Sequence, residues 1–508
     1  MLDSPKSNMR IIPSTMATQH PDNAGKPYWH NRPFVSSPAE IKESFLCFSD
    51  LNIDEYNWDW EGKFVDEAVI DRLLHQHYAY FKKNPLGKNK FLTFRFPNPR
   101  VEKQFRLARA LMVAITSSQL SRSLGFNVDP VFEAILPLTE SAREIIDIQE
   151  AFKALVGIEH QLLKLNQSLK HIEIIPLFES VATIISSDTI IREYTKLHKK
   201  KFGRSPLYLR PYIARSDPAL NSGLIPTILA LKIALSRYKK LSEQLEIPLF
   251  PMLGTGSLPF RGGLTPDTIA KSLDEYAGIS TLIIQSAFRY DYPRSKVIQA
   301  IRTIKEQLPK NKARSLNDNQ IKKLDSLIPS FTISYRRTIE KIAPLINNLS
   351  KYVAKRRERM LHIGLFGYSR GVGHVQLPRA ITFTAALYSI GVPPELIGSG
   401  RGLNEAVKSK SGDLVINTYR HLKNDLQQAG YFLNKDNLLR LARQNSAWKD
   451  VKEDIDAIEK NLKIRLGPKN HIHREHHKLT NKILDKFLNK KNVSPLITLT
   501  GRLRHSLG

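Results

Sequence analysis

IEIIPLFE (172–179), LYLRPYIARSD (207–217), PLFPMLGTGSLPFRGG (248–263) and TLIIQSAFR (281–289) share one design. Each is an apolar, strand-like run that ends on a side chain able to do chemistry: Glu179, Asp217, Arg261 and Arg289. Segments of helical period lie between and after them, at about 181–200, 224–245, 266–277 and 295–308. Strand followed by helix, repeated, predicts a parallel sheet. A closed β/α barrel brings the carboxyl ends of such strands to a single rim. Two carboxylates and two guanidiniums on that rim point to a divalent cation and an anionic substrate.

The pattern extends both ways. FLTFRFPNP (91–99), which carries Arg95, and DPVFEAILPLTES (129–141) read as upstream strands. LHIGLFGYS (361–369) reads as a seventh strand, and ELIGSGRG (395–402) as an eighth, with Arg401 at its end. The expected fold class is therefore α/β, a TIM-type (β/α)8 barrel with many additional α-helices. We expect one barrel-based catalytic unit over 1–508. Residues 1–90 form an N-terminal loop and helical segment, and 91–402 the barrel with a charged helical insertion at about 309–360. Residues 403–508 form a C-terminal helical segment and tail. The tail, SPLITLTGRLRHSLG (494–508), either docks into the body or frays, as termini usually do.

The composition, 41% hydrophobic and 25% charged over 508 residues, is that of a soluble globular protein. A single cysteine, Cys47, rules out an intrachain disulfide and a cysteine-based zinc site, and fits a reducing compartment. No signal-type apolar region opens the chain, and LIPTILALKIAL (224–235) is too short to span a bilayer. A cytoplasmic protein with no membrane partner is expected. The net charge of +29 raises a nucleic-acid reading. The basic runs are dispersed and lack interleaved aromatic residues, so a solvated surface that draws in small anions is the expectation.

Each motif has a plain reading beside the functional one. Glu179 and Asp217 suit a hard divalent cation, or are ordinary acids at strand ends. GTGSLPFRGG (254–263) allows close approach of backbone, including Gly262 and Gly263, to an anion, with Arg261 adding a charged fork, or is a simple glycine-rich turn. His20, in ATQHPDN (17–23), is a general base, a stabiliser of developing charge, or an inert loop histidine. Arg289 clamps a carboxylate or phosphate, or pairs with Asp291. Arg379 opens an apolar helix, where the helix dipole disfavours a cation unless an anion accompanies it.

Taken in order, ATQHPDN, PLFES, ARSDPALNSG, GTGSLPFRGG, QSAFRYDYP, LHIGLFGYSR and the closing SLG resemble phosphoenolpyruvate carboxylases, most closely their short, archaeal-type branch. The resemblance implies a helix-rich β/α barrel, usually a homotetramer. It implies carboxylation of phosphoenolpyruvate by bicarbonate to oxaloacetate and phosphate, with Mg2+ or Mn2+. On it, Glu179 and Asp217 fall on metal-ligand positions, His20 on the catalytic histidine, and Arg261 on the arginine that holds bicarbonate and carboxyphosphate. Arg289 and Arg379 align with arginine positions of the larger branch, and Gly508 with a terminus tucked near the active site. Leu220 and Thr255 stand where the larger branch has a lysine and an arginine; Arg95, Lys63, Arg401 and Arg502 are the candidates to replace those charges. Two alternatives remain at this stage: another barrel enzyme acting on phosphoenolpyruvate or a keto acid, and a basic nucleic-acid-binding protein that has lost catalysis.

Overall fold

Eight short parallel strands close on themselves in the computed structural model, which describes residues 10–61, 65–102, 105–158, 169–358, 371–372 and 375–508. They are β1 (Thr15–Thr18), β2 (Glu55–Asp59), β3 (Phe91–Arg95), β4 (Glu133–Leu136), β5 (Glu173–Phe178), β6 (Tyr212–Ile213), β7 (Met252–Leu253) and β8 (Thr281–Ile284). β1 pairs with both β2 and β8, which completes the ring. The expected TIM-type barrel is thus present, with helices packed around it. β6 and β7 are two residues long because Pro211 and Pro251, just before them, have no N–H to give the ladder.

Two cores result. Met16, Ile135, Ile175, Leu177, Tyr212, Ala214, Met252 and Ile283 fill the barrel. A larger cluster joins the outward strand faces to the surrounding helices. Below the inner cluster, at the amino ends of the strands, the interior is charged. Arg210 grips Glu55 at 2.6 and 3.1 Å, bonds Glu133 at 2.8 Å, and reaches the Thr281 hydroxyl at 3.2 Å. Its side chain and that of Glu55 are fully buried.

The barrel begins earlier and ends earlier than the sequence reading placed it. β1 and β2 lie in the segment expected to hold only loops and helices, and β8 ends at Ile284. EYNWD escaped notice because Glu55, Asn57 and Asp59 are buried polar residues, a pattern that reads as solvent-facing until Arg210 and Arg95 are seen opposite them, and TMAT because four residues are too few to show a period. The expected strand at 361–369 lies outside the described residues. The segment 395–402 is not a strand but a 3-10 turn, Pro394–Leu396, followed by the helix Ser399–Lys408. Its glycines serve helix packing: a Cβ on Gly400 would lie 2.0 Å from the Asp454 carbonyl oxygen, and one on Gly402 would lie 2.0 Å from the Phe331 ring.

The charged stretch after residue 309 follows the barrel rather than interrupting it. It is mostly one helix, Asp318–Ser350, opened by a capping box between Asn317 and Gln320. The chain ends in the helix Ser494–Leu503 and a buried tail, with Ser506 and Leu507 at 0% and 1% exposure, so the terminus does not fray. Among the described residues no single helix is long and apolar enough to cross a membrane.

Replacing Arg210 by leucine leaves Glu55 buried without a cation and Glu133 with Arg10 alone. The expected loss is about 3–5 kcal/mol, seen as a lower urea-denaturation midpoint. Adding Glu55→Gln should restore part of it. An unchanged midpoint in the single variant would show that the buried cluster does not hold the barrel together.

Candidate functional site

The rim formed by the carboxyl ends of the strands collects charge from several elements. β2 ends on Asp59, with Glu61 two residues further on, and β3 ends on Arg95. Arg95 holds Asp59 through Nε and Nη2 at 2.9 and 2.6 Å, and Glu61 through Nη1 at 2.6 Å. Glu179 follows β5 directly, and Asp217 stands in the first turn of the short helix Ser216–Ser222 after β6. The Leu138 N–H donates to Glu179 Oε2 at 2.7 Å. Burial, then the negative charges of Glu61 and Asp217, push the Glu179 carboxyl well above the usual carboxylate range, against the pull of Arg95 and the Leu138 N–H.

A half-buried acid repelled by two others is an arrangement that a cation relieves. The three carboxylates do not close into a cage of three ligands. A Mg2+-type ion needs only one or two, and fills its other positions with water and substrate. The donors present fit such an ion.

The second part of the rim is built on Asp22, in the loop after β1. Its side chain is fully buried. Oδ1 accepts from the Ala287 N–H at 2.7 Å and the Ser286 hydroxyl at 3.0 Å, while Oδ2 accepts from Arg261 at 3.2 Å. Its carbonyl accepts the Leu507 N–H at 2.7 Å. Arg261 also donates to Ser216 Oγ at 3.1 Å, to the Gly508 backbone oxygen at 2.6 Å and to Gln285 Oε1 at 2.5 Å. Burial lowers the pKa of this guanidinium, while Asp22 and Asp217 raise it. Arg261 folds back over Gly256, where a Cβ would lie 2.9 Å from its Cζ.

His20 stands beside this knot. Its Nδ1 lies 2.9 Å from Thr18 Oγ1, and its carbonyl accepts the Ser286 hydroxyl at 2.8 Å. The structure therefore brings His20, Asp22, Arg261 and Gly508 together, with Asp217 close enough to act on the charge of Arg261.

Other expected residues take different places. The Gly262 and Gly263 N–H groups donate to the Pro259 and Leu258 carbonyls at 3.1 and 3.0 Å, so neither is left for an anion. Both have positive φ, 127° and 69°, and their role is to turn the chain back after Arg261. Arg289 lies behind β1 rather than on the rim. It donates to the Thr18 carbonyl at 2.7 Å and to Cys47 Sγ at 2.8 Å, and pairs with the fully buried Glu43 at 3.3 Å. Its anticipated partner Asp291 instead accepts the Ala24 and Gly25 N–H groups.

Arg401 is likewise structural. Its guanidinium and its N–H hold Asp454, a residue of the helix Ala447–Leu462, at 2.8–3.0 Å. Arg379 occupies the N-cap of the helix Ala380–Ser389, and Gly508 sits against the first turns of the same helix. Lys63 lies outside the described residues, and Arg502 is exposed. Leu220 and Thr255 are buried, the former giving its carbonyl to Tyr335 and the latter its hydroxyl to the Ile283 carbonyl.

Sequence reasoning missed Asp22, Glu61 and Gln285. Asp22 and Gln285 lie inside motifs already singled out, two residues after His20 and four before Arg289. Glu61 was concealed with β2. Ser257, inside the glycine-rich loop, has a buried hydroxyl with no partner and is a further group available to a ligand.

The family model described as Phosphoenolpyruvate carboxylase matches residues 12–508. The chain is 40% identical over 509 residues to the phosphoenolpyruvate carboxylase of Oenococcus oeni, covering 98% of this chain and 99% of that one. It is 40% identical over 503 residues to the enzyme of the same name from Metallosphaera sedula, covering 95% and 96%. With that of Pyrococcus horikoshii the identity is 38% over 463 residues, covering 88% and 94%. The chain belongs to the phosphoenolpyruvate carboxylase family, in its short, archaeal-type branch.

Proposed function

We propose that this rim carboxylates phosphoenolpyruvate with bicarbonate, giving oxaloacetate and phosphate by way of carboxyphosphate and the enolate of pyruvate. The observation that carries the reading is Glu179, half-buried after β5 and repelled by Glu61 and Asp217, on the same rim that holds Arg261. Glu179 and Asp217 are the residues that would hold the divalent ion, Mg2+ or Mn2+. When bound, such an ion supplies Lewis-acid stabilisation of negative charge on a substrate oxygen.

A bicarbonate oxygen attacks phosphorus and the bond from phosphorus to the enol oxygen breaks. Arg261 stabilises the charge of the phosphoryl group as it moves, in a place from which water is largely excluded. His20, oriented by the Thr18 hydroxyl on Nδ1, takes the carboxyphosphate proton at Nε2. The bond from carbon to the bridging oxygen then breaks, and the carbon dioxide released is attacked by the enolate carbon. His20 returns its proton to phosphate. The docked tail and the packed glycine-rich loop keep water from protonating the enolate.

The direct test is oxaloacetate formation, measured by a coupled assay with and without bicarbonate and divalent cation; phosphate release indifferent to bicarbonate would contradict the reading. Three variants probe its parts. His20→Asn should keep bicarbonate-dependent phosphate release but divert product to pyruvate. Oxaloacetate at the parental rate would take the proton transfer away from His20.

Cation binding displaces a proton from Glu179, so the cation concentration for half-maximal activity should fall as pH rises. The slope is up to about tenfold per pH unit until Glu179 is ionised. Because its pKa is raised, this dependence should persist above the ordinary carboxylate range and vanish in Glu179→Gln. A flat profile in the parent chain would remove Glu179 from the cation site.

Gly508→Ala places a Cβ 2.0 Å from the Ile381 carbonyl oxygen, so the tail must lift and Arg261 loses an acceptor. Turnover should drop by roughly tenfold or more, with little change in melting temperature. Full activity would show that the docked tail is not required.

A further inference from the structure

Behind the rim, a line of buried polar side chains joins the glycine-rich loop to the tail. It starts at Phe260, the residue before Arg261, whose N–H donates to Glu395 Oε1 at 2.9 Å. The same oxygen accepts the Tyr388 hydroxyl at 2.8 Å. The Arg504 guanidinium lies over the Tyr388 ring, 5.0 Å from its centre. Arg504 follows the helix Ser494–Leu503 and donates through Nη2 to the Leu507 carbonyl at 3.0 Å. Leu507 precedes Gly508, whose backbone oxygen accepts from Arg261 at 2.6 Å. The contacts therefore form a closed ring, and the bond between Arg261 and Gly508 is one of its links.

Packing alone does not call for charge here. Glu395 is fully buried, and its Oε2 has no partner. Burial pushes its carboxyl up to about 7. Arg504 is buried as well, and burial pulls its guanidinium down to about 10. Its Nε has no partner. Its Nη1 gives to His476 Nε2 at 2.7 Å, and that imidazole is neutral, held well below its ordinary range by burial and then by Arg504 itself. Glu395 raises the pKa of Arg504 across the Tyr388 ring, and the two do not touch. Apolar residues of similar size often serve a fold as well as a buried acid and base, or better.

What the two charged groups supply is direction. Glu395 fixes the peptide N–H next to Arg261, and Arg504 fixes the carbonyl next to Gly508. Each bond acts one residue away from the contact that seats the tail on Arg261. The helix Ala380–Ser389, which carries Tyr388, is also the helix against which Gly508 rests.

Taking the carboxylation above as the reaction, we propose that Glu395 and Arg504 are positioning residues for it: joined through Tyr388, they hold the tail and the glycine-rich loop together, so that Arg261 meets Gly508 and the site stays closed to water. Neither touches the reacting groups.

The test pairs product partition with hydrogen exchange in the full chain. In Arg504→Met, oxaloacetate turnover should fall by about tenfold and the ratio of pyruvate to oxaloacetate should rise, because water reaches the enolate. Amide exchange in the peptide 494–508 should quicken by about tenfold or more. General destabilisation lowers both products alike and leaves their ratio where it was. Glu395→Leu should shift the ratio in the same direction, and Glu395→Gln, which keeps an oxygen for the Phe260 N–H, should recover most of the loss. If Glu395→Leu fails to fold, Tyr388→Phe cuts the same link with the ring in place. An unchanged ratio or unchanged exchange in Arg504→Met would overturn the proposal, as would a Glu395→Gln variant as impaired as Glu395→Leu. A parent chain that forms no oxaloacetate would instead overturn the reaction, and the exchange measurement would still decide whether Arg504 holds the tail.

Discussion

The hydrogen bonds of Asp22 hold the candidate active site in one piece. A fully buried carboxylate is costly unless every lone pair is used, and here backbone, hydroxyl and guanidinium donors all converge on it. Those donors belong to the start of the helix after β8 and to the glycine-rich loop after β7, and the carbonyl of the same residue receives the tail. Segments 239 to 485 residues away in the chain are thereby referred to one point in the β1 loop. His20 inherits its position from this arrangement, two residues upstream.

The barrel divides its chemistry by height. Its amino end is closed by a charge cluster, Arg210 with Glu55 and Glu133, in which each ion has a partner. Its carboxyl end leaves acids unbalanced: Arg95 is occupied by Asp59 and Glu61, and Glu179 stands nearby with burial and like charge both against its ionised form. The first arrangement is what a fold needs, and the second is what a cation site needs before its cation arrives. An inner layer of Met, Ile, Leu and Tyr separates them.

What the sequence made legible follows from the same physics. β5 to β8 announce themselves because apolar runs end on reactive side chains and alternate with helices. β1 and β2 do not: β1 is only four residues long, and the inward residues of β2 are polar, acceptable only because partners up to 155 residues away turn to meet them. ELIGSGRG misled because glycine signals close approach of any kind; here helices, not a strand end and a ligand, are what approach. Arg289 misled for a related reason. An arginine at the end of a buried strand is as well suited to bracing β1 from behind as to meeting an anion, and only the position of Glu43 decides between them. The ordered motifs, in contrast, identified the family correctly because their order depends on no single residue.

Arg261 has five N–H donors, and four of them already have acceptors within the protein: Ser216, Asp22, Gly508 and Gln285. An arriving anion therefore meets an internal competitor at nearly every donor. It gains from Arg261 only the difference between its own acceptor strength and that of the resident groups. Such a guanidinium contributes little to holding ground-state anions, including stray inorganic ones. In the proposed reaction its preference would emerge where the charge on the incoming group exceeds what the resident oxygens, the Asp22 carboxylate included, offer, which would weight the contact toward the transition state rather than toward resting affinity.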